Sequence, residues 1–105
     1  MTDREMLELA AKAADYSVIT WQHDKFICKD KNSGDHKTFH WNPLNDDGDA
    51  LRLAVKLRLD VDHNQEQACV YGNGVAVEIP EGSDPCKATR RAIVRAAAEI
   101  GRNMP

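Results

Sequence analysis

Val70-Tyr71-Gly72-Asn73-Gly74-Val75-Ala76-Val77-Glu78-Ile79 is the stretch whose reading decides the fold. Asn73-Gly74 accepts the positive φ angles of a type I′ turn, so two β-rich runs meet across a two-residue loop. That turn sets the register. Val70 opposes Val77 and Ala68 opposes Ile79 on one face, while Cys69 opposes Glu78 on the other. One face is apolar and the other mixed, the pattern of an antiparallel sheet with helices on one side only.

Upstream, Ser17-Val18-Ile19-Thr20-Trp21 and Phe26-Ile27-Cys28 are rich in β-branched and aromatic residues. A turn at His23-Asp24 would set Trp21 opposite Phe26 and Ile19 opposite Cys28. Turn chemistry at Lys31-Asn32-Ser33-Gly34-Asp35 then introduces a third strand, His36-Lys37-Thr38-Phe39-His40-Trp41, with Phe39 and Trp41 on one face.

Three helices complete the pattern. Thr2 and Glu5 form a capping box for the first, whose inward face is Met6, Leu9, Ala10, Ala13 and Ala14. Asn45 or Asp46 caps the second, Ala50-Leu51-Arg52-Leu53-Ala54-Val55-Lys56-Leu57, which is apolar around most of its circumference. Only Asp49, Arg52 and Lys56 line up as an exposed edge, so this segment is expected to be the central, most buried helix. The third opens after Ser83 or Asp84 with Pro85 near N1, presents Thr89, Ile93, Ala96 and Ile100 inward, and closes at Gly101 as C-cap. The expectation is one α+β domain over residues 1–105, with three helices and an antiparallel sheet of about five strands. Its order is α-β-β-β-α-β-β-α.

A chain of 105 residues, 42% hydrophobic and 30% charged, can bury a core without staples. No apolar run approaches the ~20 residues of a membrane span. Met1-Thr2-Asp3-Arg4-Glu5 lacks a basic region followed by an apolar stretch, so no secretory signal is expected. Cys28, Cys69 and Cys86 are odd in number and lack Cys-x-x-Cys spacing, which suits thiols in a reducing cytoplasm.

Four groups of residues could carry chemistry. Asp46, Asp47 and Asp49, with Trp41, Asn42 and Asn45 beside them, gather carboxylates at a helix start. Capping and dipole compensation explain them first, and a partner-facing acidic patch second; the spacing is not that of a calcium loop. His36 and His40 share a strand face but stand roughly 13 Å apart at four strand residues, so one zinc takes both only if the segment bends. Adding Asp46, Asp47 and His63 gives the alternative of a small metal-dependent hydrolase. Cys86, in a first helical turn, is the most reactive thiol. No P-loop, G-x-S-x-G elbow or dinucleotide fingerprint is present, and no cofactor is expected.

Charge is the most asymmetric feature. Residues 85–105 hold Lys87, Arg90, Arg91, Arg95 and Arg102 against Glu99 alone, whereas residues 1–84 hold nine basic and sixteen acidic groups. Lys87, Arg91, Arg95 and Arg102 form a helical stripe about 80° wide. Such a stripe is a solvated face, a docking surface for an acidic protein, or a phosphate track; the net charge of −3 disfavours nucleic acid.

The segment Trp41-Asn42-Pro43-Leu44-Asn45-Asp46-Asp47-Gly48-Asp49-Ala50-Leu51 resembles a signature of small proteins encoded by tailed phages and prophages, the NinX-like group of unknown function. There an aromatic-Asn-Pro precedes a short polar stretch and an apolar helix. The opening Met-Thr-Asp-Arg-Glu-Met-Leu-Glu-Leu-Ala helix is similar in style. The resemblance implies a phage or prophage accessory protein of the bacterial cytoplasm and supplies no catalytic residue. The expectation is therefore a non-catalytic protein that binds a host or phage macromolecule. Its contacts would be Trp41, Asn42, Asp46, Asp47 and Asp49 at the corner, and Lys87, Arg91 and Arg95 on the last helix. The partner would be a protein rather than nucleic acid or membrane, and the opposite patches also permit a homodimer.

Overall fold

A computed structural model of the chain describes residues 2–22, 25–32, 34 and 37–105. Its elements are α1 (Asp3–Ala13), β1 (Tyr16–Gln22), β2 (Lys25–Asp30), β3 (Thr38–Trp41), α2 (Asp47–Lys56), β4 (Asp60–Asn64), β5 (Gln67–Gly72), β6 (Val75–Pro80) and α3 (Pro85–Arg102). The expected single sheet of about five strands is corrected. Among the described residues, six strands form two separate three-stranded antiparallel sheets, β1-β2-β3 and β4-β5-β6, in the order α-β-β-β-α-β-β-β-α. The helices keep the sheets apart: β1 touches α1, α1 packs along α3, and α3 carries β5 and β6. One core cluster draws on all three helices and both sheets.

The strand missing from the expectation is β4. Its residues, Asp-Val-Asp-His-Asn, are mostly poor strand formers, and all five are exposed. Pairing with β5 holds it, through a turn at Gln65-Glu66 whose two residues both take positive φ without a glycine.

The hairpin around Asn73-Gly74 forms in the expected register, with Val70 opposite Val77, Ala68 opposite Ile79 and Cys69 opposite Glu78. In the first sheet Trp21 does face Phe26, but an irregularity between Val18 and Thr20 displaces Ile19, so Val18 faces Cys28. The third strand begins at Thr38 and sets Phe39 and Trp41 against Cys28 and Phe26. His23, Asp24, Ser33, Asp35 and His36 lie outside the described residues.

The helices also depart from expectation in how they bury. α1 is capped by Thr2, whose Oγ1 accepts from the Glu5 N–H at 3.1 Å, but Leu7 and Ala11 are buried where Leu9 and Ala13 were expected. The central helix is α3, not α2. Ala88, Ala92, Ile93, Val94, Ala96, Ala97, Ala98 and Gly101 bury it around nearly its whole circumference, because helices and a sheet surround it. Gly101 lies within α3, packed against the Leu9 carbonyl of α1, and Asn103 is the C-cap. α2 buries only Ala50, Leu53 and Ala54, and leaves Leu51 at 62% and Val55 at 68% exposure.

Candidate functional site

The corner between β3 and α2 is built from its own hydrogen bonds. Pro43 fixes φ and holds the preceding residue extended, ending the strand. Trp41, Asn42 and Pro43 are buried. The Asn42 carbonyl accepts from Asn45 N at 3.1 Å and Asp46 N at 2.9 Å, and its side-chain oxygen accepts from Asn45 Nδ2 at 3.2 Å. Asp46 caps α2 by accepting from the Asp49 N–H at 2.8 Å. Asp49 accepts from the Asn42 N–H at 2.9 Å and from Arg52 at 2.7 Å. Asp47 pairs with Arg90 at 2.6 Å, and Arg90 Nε also donates to the Leu44 carbonyl at 2.9 Å. The three carboxylates thus have local duties as a cap, a brace and a tie to α3.

Beside this corner lies a shallow polar depression of about 490 Å³, bounded by His40, Trp41, Asn42, Asn45, Asp46 and Asp49. Aromatic edges support it: the Tyr16 ring meets Phe39 at 5.1 Å and Trp41 at 5.5 Å, and Lys56 Nζ sits 4.3 Å from the Tyr16 ring centre. Burial, then the Asp30 carboxylate, raises the Tyr16 pKa above its ordinary value, so the phenol is neutral at physiological pH.

The basic stripe is divided among tasks. Arg91 reaches Asp3 of α1 at 3.2 Å. Arg102 pairs with Glu99, also at 3.2 Å. Lys87 and Arg95 are exposed and make no ion pair among the described residues. Of the described histidines, His40 is on β3, and His63 on β4 places Nδ1 2.9 Å from Glu81 Oε1. Among the described residues, no group of three or more His, Cys, Asp or Glu side chains is placed to hold a metal ion.

A second depression was not foreseen from sequence. It is an open apolar groove of about 320 Å³ between α2, β4 and α3. Leu51 and Ala50 come from α2, Val61 and His63 from β4, and Cys86 and Ile93 from α3, with the Asp47–Arg90 pair at the rim. Val55, one helical turn from Leu51, extends the apolar surface along α2. Periodicity alone could not reveal this groove. Leu51 and Val55 have the spacing of core residues, and they are exposed because none of the described elements covers that side of α2.

No family model, curated protein or solved structure matches this chain.

Proposed function

We propose that the chain is a small phage or prophage accessory protein that acts in the bacterial cytoplasm without catalysis, by binding a host or phage protein. The contact surface is the groove between α2, β4 and α3. The observation that carries this proposal is the exposure of Leu51 on the lining of a concave, mostly apolar groove, with exposed Val55 one helical turn further along α2. Apolar side chains gathered at a groove mark contact surfaces more often than singly scattered ones do. The corner carboxylates are accounted for by capping, bracing and ion pairing, so the proposed contact is the groove instead.

The test is affinity capture from phage-infected bacterial lysate with the full chain as bait, comparing wild type with Leu51→Asp and Arg95→Glu. The proposal expects a defined protein that Leu51→Asp loses and Arg95→Glu retains. Loss with Arg95→Glu alone would move the contact to the α3 stripe, and absence of any defined protein would refute the binding role.

A further inference from the structure

We infer that the free edge of β4 receives an extended segment of the partner protein as an added strand. The segment's apolar residues enter the groove, and they alternate with lysine or arginine on the opposite face. This rests on the protein-binding role proposed above and specifies the chemistry of the partner.

The edge itself is available. Among the described residues β4 pairs only with β5, and the Gln65-Glu66 turn makes Asn64 and Gln67 the hydrogen-bonded pair that closes the hairpin. Alternation along the ladder then turns the N–H and C=O groups of Val61 and His63 toward the free side. The His63 N–H is consistent with this, since it donates to the Asp62 carboxylate at 2.8 Å instead of to β5. An incoming carbonyl would replace Asp62 there and release its carboxylate.

The two faces of β4 fix what the added strand must carry. Val61 and His63 share the face that lines the groove, opposite Leu51 of α2 and Cys86 and Ile93 of α3. Side chains at every second position of an added strand would enter that space. Asp60 and Asp62 project to the other face, where Glu78 stands across the sheet in register with Asp62 through Cys69. No lysine or arginine occurs in β4, β5 or β6, so this face is acidic and calls for cations on the alternate residues.

The same charges disfavour a second copy of this chain as occupant. Antiparallel self-pairing centred on Val61 sets Asp60 against Asp62, and pairing centred on Asp62 sets that residue against itself. The other free edges fit an added strand less well. The register of β1 shifts between Val18 and Thr20, β3 has four residues, and β6 ends in proline.

The experiment titrates the isotope-labelled full chain, at low salt, with an acetylated and amidated hexapeptide of alternating valine and lysine. Amide shifts and hydrogen exchange report the site, and fluorescence anisotropy of labelled peptide reports affinity. The inference expects new exchange protection at the Val61 and His63 amides and binding that weakens with salt. It expects about tenfold weaker binding to the Asp60→Asn/Asp62→Asn chain, in keeping with two lost cross-strand charge pairs. It also expects no binding by a peptide with glutamate in place of lysine, or by one N-methylated at alternate residues to block backbone pairing.

Equal binding of the glutamate or N-methylated peptide, shifts confined to α3 or the corner, or no binding at all would overturn strand addition. So would self-association through Val61 and His63 without peptide. If the peptide fails while Leu51→Asp still abolishes partner capture, strand addition alone is wrong. If Leu51→Asp has no effect on capture, groove binding itself falls.

Discussion

The main-chain N–H of Asn42, at the end of β3, donates to the side chain of Asp49, in the first turn of α2, at 2.9 Å. A strand and the helix that follows it are thereby tied by a carboxylate that sequence alone assigned first to capping and dipole compensation and second to a surface patch. Asn42 is only 8% exposed, so its N–H has little access to water as a substitute partner.

Asp49→Ala should therefore lower unfolding free energy by about 1–3 kcal/mol, the cost of leaving a buried donor unpaired. Asp46→Ala removes a helix cap and should lose about 1 kcal/mol. Urea unfolding of both variants provides the comparison. An Asp49→Ala protein as stable as wild type would show that the corner is not held by this bond.

The Asp47–Arg90 pair should be asymmetric. Asp47 is 72% exposed, so Asp47→Ala loses less than about 1 kcal/mol. Arg90 is 16% exposed and also donates to the Leu44 carbonyl, so Arg90→Ala strips a partly buried donor set and packed methylenes and should lose about 2 kcal/mol. Equal losses in thermal unfolding would contradict this division.

Gly101 is required by proximity. A Cβ there would collide with the Leu9 carbonyl of α1, which is backbone and has no rotamer to yield. The two helices are also tied by Arg91 to Asp3 and by Lys12 Nζ to the Met104 carbonyl at 3.1 Å. Alanine favours helix by up to about 1 kcal/mol over glycine, but separating packed helices costs about 1–3 kcal/mol. Gly101→Ala should therefore melt several degrees lower than wild type, and a rise in Tm would refute the close approach.

Cys28 should make the protein sensitive to alkali. Burial, reinforced by the Asp49 charge, pushes its thiol from 9.0 to about 12. Above pH 9 the unfolded chain releases this proton while the folded chain keeps it. Stability from this group is therefore intact below pH 9 and falls toward pH 12, by at most about 1.4 kcal/mol per pH unit. Urea unfolding from pH 8 to 11 should show the decline, and Cys28→Ala should flatten it. With a thiol reagent at pH 8, exposed Cys86 should react first and Cys28 only on unfolding.

Elements that depend on local chemistry were legible in the chain. Thr2 and Asp84 cap their helices through side chains that reach the third residue on, and Pro85 follows Asp84 in the first turn as its missing N–H allows. Asn73-Gly74 set a register that held for every pair along β5 and β6. β4 was not legible, because its alternation of Asp, Val, Asp and His has little strand propensity and its turn contains no glycine. Its pairing energy comes from β5, which a local window does not weigh.

Sequence by itself determined α1, α2, α3, every described strand except β4, and the strand-to-helix corner, since caps, turn residues and side-chain periodicity act over a few neighbouring residues. Only the tertiary structure decided that the strands divide into two sheets with helices between them and that α3 is the buried helix. The same packing left Leu51 and Val55 of α2 exposed, with Leu51 on the wall of a groove. An apolar stripe states that a face avoids water but not which surface will cover it, and that choice is made by elements distant in the chain.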